Sequence, residues 1–221
     1  MRLALFDLDH TLLSGDSDAM WCSFLIDEGL LGRNPFEALN AQMVRRYASG
    51  TVEPREFCDF YVATLAGRTP AAWRLWCKRF LDEVVAPRIP LSARSLVESH
   101  RARGERLVLT TATNRVLTEL TAKHLGISDL IATEVEVVDG VCTGRTSGTL
   151  NMREGKVERL AAWLAAHGLD SALLATATFY SDSINDLPLL RAVGTPVVVD
   201  PDAQLKAHAL AAGWRSVALQ R

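Results

Sequence analysis

The sequence predicts an α/β fold, a parallel sheet with helices on both faces, interrupted after its first strand by an all-helical insert. Three observations predict it. Short apolar runs recur along the chain, each closing on small or acidic residues; stretches of helical period lie between them; and one long early segment offers helices without a strand. A chain of 221 residues is long enough for one large domain or a core with a smaller insert, and 48% hydrophobic content supports a sizeable interior.

The first run, Leu3 to Phe6, reads as a strand that ends on Asp7. Ser14 to Pro87 then breaks the alternation with four helical segments. Asn34-Pro35 and Thr69-Pro70 each place a capping side chain before a proline at the first helical position, and Gly29 and Gly50 fall where helices stop. The expected organisation is a core of residues 1–13 and 88–221 with an insert of residues 14–87 on short hinges. Within the core, Gly104 stops a helix through Ser99 to Arg103, Leu107 to Leu109 forms the next strand, Val116 to Leu125 a helix, and Leu130 to Ala132 a strand. From Glu134 to Arg145, Val135, Val137 and Val141 flank Asp139-Gly140, a pair suited to the positive φ angles of a tight hairpin turn. Val157 to His167 is helical, and Ala175 to Tyr180 and Val197 to Val199 complete the strands. Ligands of such sheets bind beyond the carboxyl ends of the strands, which gathers Asp7, Thr111 and Asp182 at one edge.

Composition excludes several function classes. Lys and Arg total 24 against 26 Asp and Glu, so no positive field exists to gather nucleic acid or an anionic membrane. Cys22, Cys58, Cys77 and Cys142 are widely spaced without a Cys-x-x-Cys pair and read as reduced, structural thiols of a cytoplasmic protein. The opening residues reach Asp7 after the four apolar residues Leu3 to Phe6, too few for a signal-peptide core or a membrane span. His100, His124, His167 and His208 show no metal-ligand spacing and read as helix-surface residues.

Four constellations carry chemistry. Asp7 and Asp9 leave the first strand at period-two spacing, so both face one pocket, where a cation relieves their repulsion and one attacks while the other handles a proton. Alone, an Asp-x-Asp is equally a solvated turn; the following Thr11-Leu12-Leu13 makes it more specific. Leu107 to Asn114 is a strand that ends in hydroxyls and starts a helix, whose free N–H groups suit a phosphate, with plain capping by Thr113 or Asn114 as the alternative. Gly155-Lys156 opens a helix, where a lysine opposes the helix dipole unless an anion lies nearby. In Ser181-Asp182-Ser183-Ile184-Asn185-Asp186-Leu187-Pro188, two acids four residues apart suit a hard cation, or else a capped helix begins near Asn185.

In this order the four closely resemble the motifs of the haloacid dehalogenase-like phosphatases. The helical insert and the Asp-Ser-x-Asn-Asp-Leu-Pro-Leu-Leu wording are similar to the subgroup around phosphoserine phosphatase. The resemblance implies a Rossmann-like core with an inserted helical cap and a magnesium-dependent phosphomonoesterase acting on a small phosphorylated metabolite. It implies Asp7 as the nucleophile that becomes an aspartyl-phosphate and Asp9 as the general acid and base. Thr111 and Lys156 would bind phosphoryl oxygens, with Asn185 holding the substrate or Lys156. The metal set would be Asp7, Asp9 through its carbonyl, and Asp182, with Asp186 behind them. The cap would exclude water and choose the leaving group. Here the chain departs from phosphoserine phosphatase, whose cap offers a glutamate and an arginine: Asp16 falls near the glutamate, Tyr61 takes the arginine's place, and Arg45, Arg46 and Arg55 lie elsewhere. His10 stands where the family often has glycine. Two other readings stay open, a phosphotransferase or mutase on the same scaffold and a phospho-acceptor signalling module; Asp9 and the large insert count against the second.

Overall fold

In the computed structural model, which describes residues 1–48 and 51–219, alternation decides the first strand. Along β1 (Leu3–Phe6), Leu3 and Leu5 join the apolar cluster on one side of the sheet, and Ala4 and Phe6 join the cluster on the other. A strand apolar on both faces belongs in the middle of a covered parallel sheet. There it lies, flanked by β2 (Arg106–Asn114) and by β5 (Thr178–Ser181). With β3 (Asp129–Val138), β4 (Val141–Ser147), β6 (Thr195–Val199) and β7 (Arg215–Val217), the described residues form a seven-stranded sheet of order β4-β3-β2-β1-β5-β6-β7. Every neighbouring pair is parallel except β3 with β4, the hairpin turning at Asp139-Gly140, where both residues have positive φ. The short edge strand β7 was not expected; only Val217 of its three residues is half-buried, so it lacks the apolar run that marks the others.

Between β1 and β2 the chain winds through α1 (Ser17–Asp27), α2 (Arg33–Ala48), α3 (Pro54–Val62) and α4 (Pro70–Phe80) before α5 (Leu91–Ala102). Thr69 caps α4 by accepting from Ala72 N ahead of Pro70, as the sequence suggests, and Asp16, not read as a cap, caps α1 by accepting from Ala19 N. Gly29 follows α1 with φ of +71°. Asn34-Pro35 behaves differently. Helix α2 already begins at Arg33, so Asn34 is no cap and Pro35 sits inside the first turn, where a missing N–H costs no helical bond. Gly50 lies outside the described residues. Trp21 packs edge-on against Trp73 and Phe80 at centroid distances of 5.6 and 5.2 Å, giving these helices their own aromatic centre.

The remaining helices cover both faces. Helices α5 and α6 (Arg115–His124) pack on the Phe6 side, while α7 (Glu154–Ala166), α8 (Leu187–Ala192) and α9 (Ala203–Ala212) pack on the Leu3 side. The run from Ala175 is strand only from Thr178, because Asp170 caps a 3-10 helix over Ser171–Thr176. His100 also departs from expectation. It is 3% exposed, beneath the sheet, with Nε2 bonded to Tyr180 Oη at 2.8 Å and Nδ1 facing Glu105; burial lowers its pKa against the pull of Glu105. Helix period alone could not distinguish its face, since Tyr180 comes from a strand eighty residues away.

Two contacts position the α1–α4 segment over the strand ends. Ser14 N donates to Arg88 O at 2.9 Å, tying the outgoing and returning chain together. On the far side, Asp59 Oδ1 of α3 accepts from Thr146 N and Oγ1 of β4 at 2.7 and 2.6 Å, and Arg55 donates to Thr146 Oγ1 and Gly148 O. Among the described residues no helix is long and apolar enough to cross a membrane, and all four cysteines are free and buried.

Candidate active site

Asp7 is the first residue beyond β1. Its N–H donates to Tyr180 O at 3.0 Å, so the sheet holds the backbone while the side chain leaves the end of the ladder. Its carboxylate is buried, with Oδ1 accepting from Lys156 Nζ at 2.8 Å and Oδ2 from Thr11 Oγ1 at 3.2 Å. Thr11 Oγ1 also lies 3.0 Å from Asp182 Oδ1 and accepts from Asp182 N at 3.1 Å. One hydroxyl hydrogen therefore stands between two acids and can satisfy one at a time. Lys156 Nζ also donates to Asp186 Oδ2 at 2.7 Å, which Ser181 Oγ approaches at 2.7 Å.

Burial pushes the Asp7 carboxyl well above the usual range; Lys156 opposes this, and Asp186, Asp182 and Asp9 add to it. Asp182 is pushed up to about 7, first by burial, with the Thr11 bond opposing and Asp186 adding. For Lys156, burial favours loss of the proton, yet Asp186 and Asp7 outweigh it and hold the ammonium above its ordinary value. The lysine that opposes its helix dipole thus answers two buried carboxylates. Gly155 makes this possible, because a Cβ there would meet Leu150 O at 2.1 Å.

The turn before Lys156 is strained. Gly155 N donates to Met152 O at 3.0 Å, and Arg153 between them has φ of +53° and ψ of −128°, the angles of the first central residue of a type II′ turn. That position ordinarily takes glycine, and another residue there costs about 1–3 kcal/mol. Arg153 Nε donates to Asn185 Oδ1 at 3.1 Å. Asn185 is thus held by Arg153 and Ser183, while Lys156 is held by the two acids.

Asp9 faces another way. Its Oδ1 accepts from Ser17 N at 2.7 Å, at the start of α1, and its Oδ2 accepts from Thr113 Oγ1 at 2.9 Å and lies 3.4 Å from Thr111 Oγ1. Thr111 is fully buried in β2, which runs on to Asn114 instead of stopping at Leu109. Asn114 Oδ1 accepts from Leu117 N, so the plain capping alternative holds for that residue. His10 has φ of +55°, which explains why glycine suits this position and why histidine, tolerant of left-handed backbone, can replace it.

Two acids at the start of α1, Asp16 as its cap and Asp18 in its first turn, complete the surroundings. Burial and the neighbouring Asp9 push Asp16 up to about 6. Asp18 is 9% exposed; its Oδ2 lies 3.2 Å from Thr113 Oγ1, whose one hydrogen it shares with Asp9, and its Oδ1 is buried without a partner among the described residues. Of the residues that sequence reasoning did not assign, Thr11 was visible as part of the first motif. Asn151 was not: its Nδ2 reaches Thr110 Oγ1, Thr111 O and Ile131 O, fixing β2 against β3 from a loop with no motif. A cavity of about 450 Å³ between α4, α6 and β3 shares no lining residue with the acid cluster.

The site fits a hard divalent cation. Its donors are oxygens, the Asp7 and Asp182 carboxyls are raised first by burial and further by neighbouring acids, and positive charge between them would offset both. Among the described residues no three Asp, Glu, His or Cys side chains close on one point. The carboxylates of Asp9 and Asp186 are turned to Thr113 and Lys156, so Asp9 could join a metal by its carbonyl and Asp186 only from behind.

Acids and a buried ammonium at the carboxyl edge of a parallel sheet, beneath a helical segment, mark an α/β protein whose site is suited to a phosphoryl group. The chain belongs to the haloacid dehalogenase-like hydrolase family, which it matches over residues 4–191, and it is a phosphatase of the phosphoserine phosphatase-like kind. It is 38% identical to a histidinol-phosphatase of Neisseria meningitidis serogroup C (strain 8013) across 96% of each chain. It is 31% identical to the phosphoserine phosphatase SerB1 of Mycobacterium tuberculosis (strain ATCC 25618 / H37Rv), covering 96% of this chain and 68% of that one. Among solved structures it resembles a protein of unknown function from Bordetella pertussis Tohama I, with a TM-score of 0.92 and 40% identity over 98% of this chain and 97% of that one.

Proposed function

We propose that the chain is a magnesium-dependent, cytoplasmic phosphatase of small phosphorylated amino alcohols, with Asp7 as nucleophile. The observation that carries the mechanism is the buried Asp7 carboxylate, aimed off the end of β1 and gripped by Lys156 at 2.8 Å. A carboxylate oxygen of Asp7 attacks phosphorus, the ester P–O bond breaks, and Asp9 gives its proton to the departing alkoxide. Asp9 then takes a proton from water, whose oxygen attacks the same phosphorus and releases Asp7 and inorganic phosphate. Lys156 and Thr111 hold phosphoryl oxygens, supplying charge and hydrogen bonds to the transferring group. Magnesium, held by Asp7, Asp182 and the carbonyl of Asp9 with Asp186 behind, would supply the positive charge that keeps these acids ionised. Residues 14–87 act as the cap over the core of residues 1–13 and 88–221.

The cap supports an amine on the leaving group. Asp16 and the unpartnered Asp18 Oδ1 lie on α1, whose first turn holds Asp9. Both relatives act, by name, on esters with a primary amine, and phosphoserine adds a carboxylate. The cap supplies little for that carboxylate: Tyr61 spends its hydroxyl on Asn40, Arg46 pairs with Glu56, and Arg55 binds Thr146 and Gly148. The test is phosphate release from histidinol phosphate, phosphoethanolamine, phosphoserine and a sugar phosphate, with magnesium or chelator, beside Asp7→Asn. Magnesium-dependent release, greatest for the two amino-alcohol esters and lost in Asp7→Asn, is the expected result. No release from any ester by folded protein with magnesium would overturn the hydrolase reading, and preference for the sugar phosphate would overturn the amine.

A further inference from the structure

Arg153 has no carboxylate partner among the described residues, although it is half-buried and its backbone occupies a turn position suited to glycine. Its location is well defined by hydrogen bonds. Nε is moored to Asn185 Oδ1; Asn185 N donates to Ser183 Oγ, and Ser183 N to Ser181 Oγ. Ser181 Oγ in turn reaches Asp186 Oδ2, the acid that holds Lys156, whose own N–H donates back to Arg153 O at 3.1 Å. The loop closes on itself, so Arg153 is tied through its backbone to Lys156 and through its guanidinium to the loop that carries Asp186, the acid that holds that lysine. An arginine at that place has neither the backbone preference of the position nor a carboxylate counter-ion among the described residues.

We infer that Arg153 is a second phosphate-binding cation, its free Nη donors meeting the phosphoryl oxygens that Lys156 also holds. The inference rests on the phosphatase reading above. Guanidinium N–H groups match phosphoryl oxygens in pairs, and the mooring through Nε leaves the Nη pair available. The arginine lies with Lys156 and Asn185, whereas Asp16 and Asp18 lie on α1, so an ester with an anionic head and an amine tail meets the opposite charge at each end. An anion of the substrate's other end, a carboxylate, would meet the same chemistry, and the experiment separates the two.

The decisive variant is Arg153→Gly, which removes the guanidinium and relieves the turn. Its thermal midpoint should rise by about 2–4 °C. At the same time the inhibition constant of inorganic phosphate and the KM of phosphoethanolamine, which has no carboxylate, should both rise about tenfold. Arg153→Lys should recover part of this, since it restores charge without the fork. Binding of inorganic phosphate to Asp7→Asn with and without Arg153→Gly reads the same contact without turnover, so it stands apart from any failure of the hydrolase reading. Unchanged phosphate affinity overturns the inference, as does a KM rise confined to phosphoserine.

Discussion

Lys156 and Asp7 illustrate how unequal the two halves of a buried ion pair are. Lys156 is 2% exposed and satisfies two carboxylates, so Lys156→Met leaves Asp7 and Asp186 buried without their cation. It should cost about 3–5 kcal/mol, read in urea unfolding at neutral pH, with loss of activity. Asp7→Asn should abolish activity equally, yet without magnesium it should not destabilise, because it removes an acid that burial and three other carboxylates disfavour and leaves Lys156 with Asp186. Asp16 makes a separate prediction at this scale. An amine needs the ionised carboxylate, and Asp16 loses its charge below about 6, so KM for phosphoethanolamine should climb as pH falls through that value. Measured against pH, that acid limb in KM should vanish in Asp16→Asn, whose KM starts high and stays flat.

Among the elements, the junction between α3 and β4 decides how the α1–α4 segment is held. Asp59 takes two hydrogen bonds from Thr146, Arg55 adds two more, and two main-chain bonds cross the same seam, Gly67 N to Cys142 O and Cys142 N to Arg68 O. Asp59→Ala orphans the Thr146 donors and should cost about 1–3 kcal/mol. Hydrogen exchange should show faster opening of α3 and β4 while β1 and β2 stay protected, and uniform loss of protection would show that this seam does not act locally. The element order was readable in the sequence because its devices are local: the apolar run of β1, the Thr69 cap, the Asp139-Gly140 turn. The start of α2 and the winding of Ser171–Thr176 were not, since propensity there is weak and neighbouring caps decide.

For the whole molecule, the acid cluster sets a pH dependence. Burial and neighbouring acids push the folded pKa of Asp182 up to about 7 and that of Asp16 to about 6, above the ordinary carboxylate range, and that of Asp7 is raised as well. Such groups bind protons more readily folded than unfolded, so they stabilise the protein below about pH 4 and lose that contribution as pH rises through the folded values. Metal-free protein should therefore melt higher at pH 5 than at pH 7.5. Magnesium at about a hundred times its Kd should add about 2.7 kcal/mol at pH 7.5, and Asp182→Asn should abolish that gain in calorimetry. The sequence by itself determined the strand order of chemistry, the acids, the threonine, the lysine and the helical insert, because their spacing is written within a few residues of each strand end. Only the tertiary structure decided which partners they meet. Thr11 between two acids, Asn151 behind Thr111, Asp18 without a partner and Arg153 moored to Asn185 join segments far apart in the chain, and such contacts leave no periodic trace in any one of them.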